Sequence, residues 1–159
     1  MNTTTHRQAG FTLIELLIVS IIVGILATLV ALTYSGVQSK NRNTERQANI
    51  KTLQSFLETY YAQHTQYPTS ANLANAEWRQ ANMKDMPADT LRDPQWNDKA
   101  ECTADGQPIP SSKPAQKCYS YEVTAADGAA CDNDKNPCAQ YTLTATFEGG
   151  DKFVKSSLN

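Results

Sequence analysis

A run of 17 uncharged residues, 16–32, constrains the fold of this chain more than any other feature. Extended back to Phe11 and forward to Tyr34, the run is long enough to cross the hydrocarbon core of a bilayer as an α-helix. Ser20, Gly24 and Thr28 interrupt it every four residues, so these small side chains share one helix face. Such a stripe lets another helix approach closely. The spacing alone does not separate this packing face from a plain single-pass anchor.

Two features at the start of the run favour the packing face over the plain anchor. Glu15 places a carboxylate at the edge of the apolar segment, where a charge is costly unless it finds a partner and therefore marks a functional position. The ten residues before Phe11, MNTTTHRQAG, form a short leader that ends in Gly10. An ordinary secretory signal has a shorter apolar core that is followed by a small-x-small cleavage site. The leader is therefore not an ordinary secretory signal.

The run Gly10-Phe11-Thr12-Leu13-Ile14-Glu15 resembles the N-terminal signature of type IV pilins and of the related pseudopilins of type II secretion. The resemblance implies that a prepilin peptidase cleaves after Gly10 and that the new amino group of Phe11 is methylated. It also implies that Glu15 pairs with the Phe11 amine of a neighbouring subunit, and that Gly24 is a soft point of the assembly helix. Pairing the two groups would remove two buried-charge penalties of several kcal/mol each.

Helical patterning continues beyond the apolar run. Apolar positions recur at spacings of three and four at Ile50, Leu53, Leu57, Tyr60, Tyr61 and His64. This stripe predicts an amphipathic helix that ends near Gln66, because the residue before Pro68 avoids the α region. Basic residues at Lys40, Arg42, Arg46 and Lys51 are interpreted as lying on other faces, either in solvent or against lipid headgroups.

The C-terminal part reads as a small sheet. Alternating apolar and polar residues predict strands over 119–124, 141–147 and 152–156, with a turn at 148–151 and a short helix over 71–83. The fold class is therefore α+β, with a long N-terminal α-helix packed on a small C-terminal antiparallel β-sheet, as in the pilin fold. The predicted domains are a leader at 1–10, a transmembrane and assembly helix at 11–34, its amphipathic half at 35–66, and a globular head at 67–159.

Four cysteines lie in the C-terminal third of the chain: Cys102, Cys118, Cys131 and Cys138. An even count in a polar, loop-rich region favours disulfides, whereas a metal site would need closer pairs such as C-x-x-C. Cys118 and Cys138 would lie at opposite ends of the predicted sheet, and Cys131 and Cys138 share one connection between strands. The sequence therefore favours the pairs Cys102–Cys118 and Cys131–Cys138 among the three possible pairings.

Acidic residues in the same connection offer oxygen ligands of the kind that calcium takes. The candidates are Asp127, Asp132 and Asp134. A solvated turn explains the same residues and is the preferred interpretation, so no metal is expected.

The net charge of −2 gives no basic field that would point to nucleic acid. No nucleophile elbow, zinc-protease motif or phosphate loop is present, so we expect a non-enzymatic protein without a cofactor. The resemblance implies a structural subunit of a type IV pilus or related filament. Its partners would be copies of itself, the prepilin peptidase, and the assembly platform with its ATPase. The alternatives are a pseudopilin of type II secretion and a membrane-anchored exported binding module.

The expected location follows from the same resemblance. Before assembly, the chain would be a single-pass protein of the inner or cytoplasmic membrane with an exported head. After assembly, it would belong to an extracellular or periplasmic filament.

Overall fold

The structure, a computed structural model, describes residues 11–104 and 107–158. Its first element is the helix α1, Leu13–His64, which has 52 residues. The chain forms two compact units, Met1–Ser39 and Lys40–Asn159, and α1 supplies residues to both. The second unit is referred to below as the head.

Local hydrogen bonding explains where α1 begins and ends. The hydroxyl of Thr12 accepts a hydrogen bond from the backbone N–H of Glu15 at 3.3 Å, which satisfies one of the unpaired N–H groups of the first turn. At the other end, Thr65 adopts a positive φ of 57° and its N–H bonds the carbonyl of Tyr61. Helix termination at His64, close to the predicted end at Gln66, thus precedes Pro68 by a short turn.

The amphipathic stripe of α1 forms the centre of the head core. Ile50, Leu53 and Leu57 are fully buried, and each contributes about 1.5–3 kcal/mol by leaving water. The stripe weakens toward the helix end, because Tyr61 is half-buried and His64 is exposed. His64 stacks on Tyr60 at 4.1 Å between ring centroids, so its contact in the head is one of packing.

Three antiparallel strands cover this stripe: β3 (Tyr119–Thr124), β4 (Gln140–Thr146) and β5 (Lys152–Ser156), in the order β3-β4-β5. Tyr121 lies opposite Leu143 in the register, and both are buried. The turn between β4 and β5 contains Gly150 with a φ of 91°, a conformation that favours glycine. The predicted α+β class, with the helix packed on a small antiparallel sheet, is confirmed.

The segment between α1 and the sheet is more regular than predicted. Two short helices, α2 (Ser70–Ala74) and α3 (Ala76–Asn82), replace the single helix expected over 71–83. Asn75 separates them with extended backbone, because its side chain accepts a hydrogen bond from Trp78 N–H and caps α3. Two very short strands, β1 (Thr103–Ala104) and β2 (Gln107–Pro108), pair antiparallel and were not predicted.

A buried ion pair joins α1 to the loop before β1. The side chains of Arg46 and Asp93 are each 1 % exposed. They meet through two bonds, from Nε to Oδ2 at 2.7 Å and from Nη2 to Oδ1 at 2.9 Å. The remaining donors of Arg46 reach Asn43, Gln95 and Glu148. Burial by itself would lower the pKa of Arg46, but the bonds to Asp93 and Glu148 outweigh it and the pKa is raised.

This network corrects the interpretation of the basic residues on α1. Arg46 lies one turn before Ile50 on the buried stripe and not on a solvated or lipid-facing side. Arg42 forms a two-bond pair with Glu148 in the turn between β4 and β5. Lys40 and Lys51 are exposed, as expected. The four basic residues therefore divide into two arginines that hold the head together and two lysines that face solvent.

We expect Asp93→Ala to lower the free energy of unfolding by about 3–5 kcal/mol, because it leaves the buried guanidinium of Arg46 without its main partner. Urea unfolding of the full chain in detergent, followed by near-ultraviolet circular dichroism of the tyrosines, measures this loss. The matched control is Asp89→Ala, which removes an exposed partner 3.7 Å from Arg92 and should cost less than about 1 kcal/mol. Equal effects of the two substitutions would contradict the assignment.

Candidate functional site

The apolar part of α1 is exposed in the part of the chain that the structure describes. Leu13–Val30 has a mean hydropathy of 2.8, and none of this window is buried. A soluble monomer rarely exposes an apolar surface of this extent. By length and composition the segment can cross a membrane. Its side chains are therefore available to lipid or to the helices of other subunits.

The charged position lies at the first turn of this helix. Phe11 is 81 % exposed and Glu15 is exposed as well. Thr12 contacts Glu15 twice: its hydroxyl accepts from the backbone N–H and donates to Oε2 at 3.5 Å. A threonine and a glutamate three residues apart form the pattern of a capping box. The structure thus adds a local role in starting the helix to the role expected for Glu15. Gly10, the expected cleavage position, lies outside the described residues.

The small residues of the apolar segment satisfy their own polar groups. The hydroxyl of Ser20 donates to the carbonyl of Leu17 at 2.8 Å, and that of Thr28 donates to the carbonyl of Gly24 at 2.7 Å. A Cβ added at Gly24 would meet nothing within 4 Å. No described residue thus requires glycine there, and its role as a soft point in assembly stays a prediction.

Both disulfides lie in the head. Cys102 joins Cys118 with 5.8 Å between Cα atoms, and Cys131 joins Cys138 with 5.1 Å. These are the pairs that the sequence favours. Each closes a short loop and by the chain-entropy account contributes about 2–3 kcal/mol. The loop from Cys131 to Cys138 is also tied to the end of α1, because Tyr67 N–H bonds the carbonyl of Cys138 at 2.8 Å.

The calcium candidates take part in turns. One oxygen of Asp132, Oδ1, accepts hydrogen bonds from the backbone N–H groups of Asp134, Lys135 and Asn136, and these donors lower its pKa. Asp127 accepts from the N–H of Ala129. Over residues 11–104 and 107–158 no group of three histidine, cysteine or acidic side chains could hold a metal ion. The contacts therefore favour the solvated-turn interpretation.

The arginine network is the feature of the head that the sequence interpretation missed. One signal was present, since Arg46 precedes Ile50 by four residues and so extends the apolar stripe. The partners gave no such signal, because Asp93 is 47 residues away and Glu148 is 102 residues away.

Comparison with known proteins finds a family match for the N-terminal part of the chain. Residues 5–31 match the model of the prokaryotic N-terminal methylation motif. The type II secretion system core protein G of Dickeya chrysanthemi is 38 % identical over 65 residues, which is 41 % of this chain and 42 % of that protein. That of Aeromonas hydrophila is also 38 % identical over 65 residues, covering 41 % of this chain and 46 % of the relative.

A type IV relative is similarly close. The type IV major pilin protein PilA of Myxococcus xanthus (strain DK1622) is 35 % identical over 66 residues, which is 42 % of this chain and 30 % of the relative. The chain thus spans less than half the length of each of these three curated relatives. No solved structure matches the chain significantly.

We expect peptide mapping under non-reducing conditions to recover a Cys102–Cys118 peptide and a Cys131–Cys138 peptide. The physical reason is that both loops are short and their Cα atoms lie within bridging distance. The reduced and alkylated protein is the control and should yield four separate cysteine peptides. Recovery of a peptide that links Cys118 to Cys138 would refute the pairing.

Proposed function

Because this chain is a prepilin with the N-terminal methylation motif, homologous to type II secretion pseudopilins and to a type IV pilin, we propose that it is the structural subunit of a type IV pilus or a related filament. It belongs to the type IV pilin and pseudopilin family, whose members are structural proteins and not enzymes. Membership in this family implies processing by a prepilin peptidase and assembly into a filament.

The observation that carries the proposal is the combination of the motif with an apolar helix that is exposed throughout. The motif match, 5–31, overlaps the window Leu13–Val30, none of which is buried. Such a helix must leave water by entering a bilayer or by packing against copies of itself. A precursor anchored in the membrane that later joins a filament uses both environments in turn.

The role proposed for Glu15 follows from the same exposure. Its carboxylate stands at the edge of the apolar surface, and the only side-chain partner found for it among the described residues is the neighbouring hydroxyl of Thr12. Cleavage before Phe11 would create an ammonium group four residues away. In a filament core both charges would be desolvated, and pairing them between subunits would remove both penalties and set the axial register.

A pseudopilin of type II secretion is the second candidate. It is supported by similarity to core protein G of several bacteria at 34–38 % identity, a range that includes the 35 % identity to PilA. These matches cover only about two-fifths of the chain, so they do not decide which filament the chain builds. Isolating filaments from cells that express the chain, and testing whether loss of the chain stops pilus formation or protein export, separates the two candidates.

We expect Gly10→Val to block maturation, because the peptidase must approach the backbone closely at the cut and a branched side chain prevents this. Mass spectrometry of the cellular protein should show the full-length precursor alone. Thr4→Val, a change of similar type within the leader, is the control and should mature normally. A mature chain that begins at Phe11 in the Gly10→Val strain would disprove the assigned cleavage position.

We expect Glu15→Val to permit membrane insertion, since the segment becomes more apolar, but to abolish or severely slow filament assembly. Removing one member of a buried charge pair costs about 3–5 kcal/mol, because the Phe11 ammonium is left alone. The measurement is the yield of sheared filaments beside the level of the membrane pool, in cells without wild-type chain.

The matched control for this substitution is Glu45→Val, which changes an exposed carboxylate of α1 outside the apolar segment. It should leave filament yield unchanged. Normal filaments from the Glu15→Val strain would defeat the pairing mechanism, since a plain anchor predicts that losing the carboxylate is neutral.

A further inference from the structure

The three-stranded sheet carries a basic surface along one edge. Here the "basic edge" denotes Lys51 of α1 together with Lys152, Phe153, Val154 and Lys155 of β5. β5 is an outer strand whose sole neighbour in the sheet is β4. Val154 is 48 % exposed, so the edge also presents an apolar side chain to solvent.

Two of the three lysines of the basic edge lie near one aromatic ring. The ammonium groups of Lys51 and Lys155 lie 6.0 and 5.9 Å from the centre of the Phe153 ring. Among the described residues, no carboxylate lies within 4 Å of these two ammonium groups or of Lys152. Two positive charges around a half-buried ring, with Lys152 next to it in the strand and no described carboxylate within ion-pair distance, form a surface that is complementary to an acidic one.

An acidic surface lies on the other outer strand and the connection that follows it. Here the "acidic loop" denotes residues 119–134, which carry four carboxylates and no basic side chain. All four carboxylate side chains are exposed, and no ion pair between described residues involves them: Glu122, Asp127, Asp132 and Asp134.

The acidic loop is held in a fixed shape. The disulfide between Cys131 and Cys138 closes its last turn, and Asp132 fastens the same turn through three backbone N–H groups. The side-chain amide of Asn133 donates to the carbonyl of Tyr67 at 2.8 Å, which anchors the loop just beyond the end of α1. A surface that is already ordered loses little conformational freedom on binding.

The disulfide turn of the acidic loop lies at a different level along α1 from the basic edge, whereas Glu122 is one register position from Lys155. Lys51 marks the basic edge, whereas the acidic loop is anchored at Tyr67, past the last helical residue, His64. The thirteen residues from Lys51 to His64 correspond to about 20 Å of helix. A second copy that is displaced along the helix direction brings the basic edge of one head to the acidic loop of the other.

We infer that the basic edge of one subunit binds the acidic loop of a neighbouring copy in the filament. The two surfaces differ, so the contact is heterologous, and repeating it produces an open helical polymer unless the rotation happens to close a ring. The inference rests on the proposed function and adds to it a contact between heads, separate from the contact of the apolar helices. Charge complementarity at such a contact sets which surfaces meet and in which register.

A charge-exchange experiment in cells that assemble the filament from this chain tests the inference. The variant Lys152→Glu/Lys155→Glu reverses the basic edge, and Glu122→Lys/Asp134→Lys reverses the acidic loop without touching Asp132. Each double variant should reduce the yield of sheared filaments about tenfold, because like charges would then face each other. The combination of all four substitutions should restore the yield to within about threefold of wild type. The control, Lys99→Glu/Lys113→Glu, reverses two exposed lysines elsewhere on the head and should leave the yield unchanged.

The level of the membrane pool shows that each variant is made and retained. Restored filaments in the four-fold variant support the inference. Normal yields from both double variants would overturn it while the proposed function stands, since the filaments would still form. Loss in the basic-edge variant without rescue would also overturn it, and would indicate that this edge contacts lipid or a different subunit. Failure of the wild-type chain to enter any filament would overturn the proposed function and, with it, this inference.

Discussion

The structure depends first on the fact that one half of its longest helix cannot remain in water. None of the window Leu13–Val30 is buried, and no described residue covers it. At roughly 25 cal/mol for each Å² of apolar surface, this exposure amounts to tens of kcal/mol that lipid or neighbouring helices must remove. Membrane insertion and polymerisation are two solutions to the same problem, and the charge proposed to pair at Glu15 would decide which arrangement of neighbours is acceptable.

The head solves the opposite problem of holding a small, loop-rich domain together. Its apolar core is modest and rests on one stripe of α1, on tyrosines and on three short strands. Two disulfides and the buried network around Arg46 supplement that core. The disulfides and the Arg46 network each join separate segments of the chain. Such links are needed because small domains bury too little surface to be stable by packing alone. The tyrosine hydroxyls also join segments of the head, since those of Tyr67 and Tyr141 both donate to Glu58 of α1.

Electrostatics thus has two distinct uses in this chain. Inside the head, charges are paired and desolvated, as with Arg46 and Asp93, and they join elements that are far apart in sequence. On the surface of the head, charges are separated by sign, with lysines along β5 and carboxylates in the connection after β3. Paired charges contribute to the fold of one subunit, whereas segregated charges remain available to a second one.

The sequence by itself determined the local features: the apolar helix, its charged first turn, the stripe over Ile50 to Tyr60, the three strands of the sheet and short disulfide loops. Each of these features is encoded by residues that lie close together in the sequence, because helix and strand periods and turn signals are short-range. The break at Asn75 and the pairing of β1 with β2 are local features that the sequence interpretation did not identify. Only the tertiary structure decided that Arg46 is buried. The burial of Arg46 depends on carboxylates 47 and 102 residues away, and no local pattern encodes which distant residue will satisfy a buried charge.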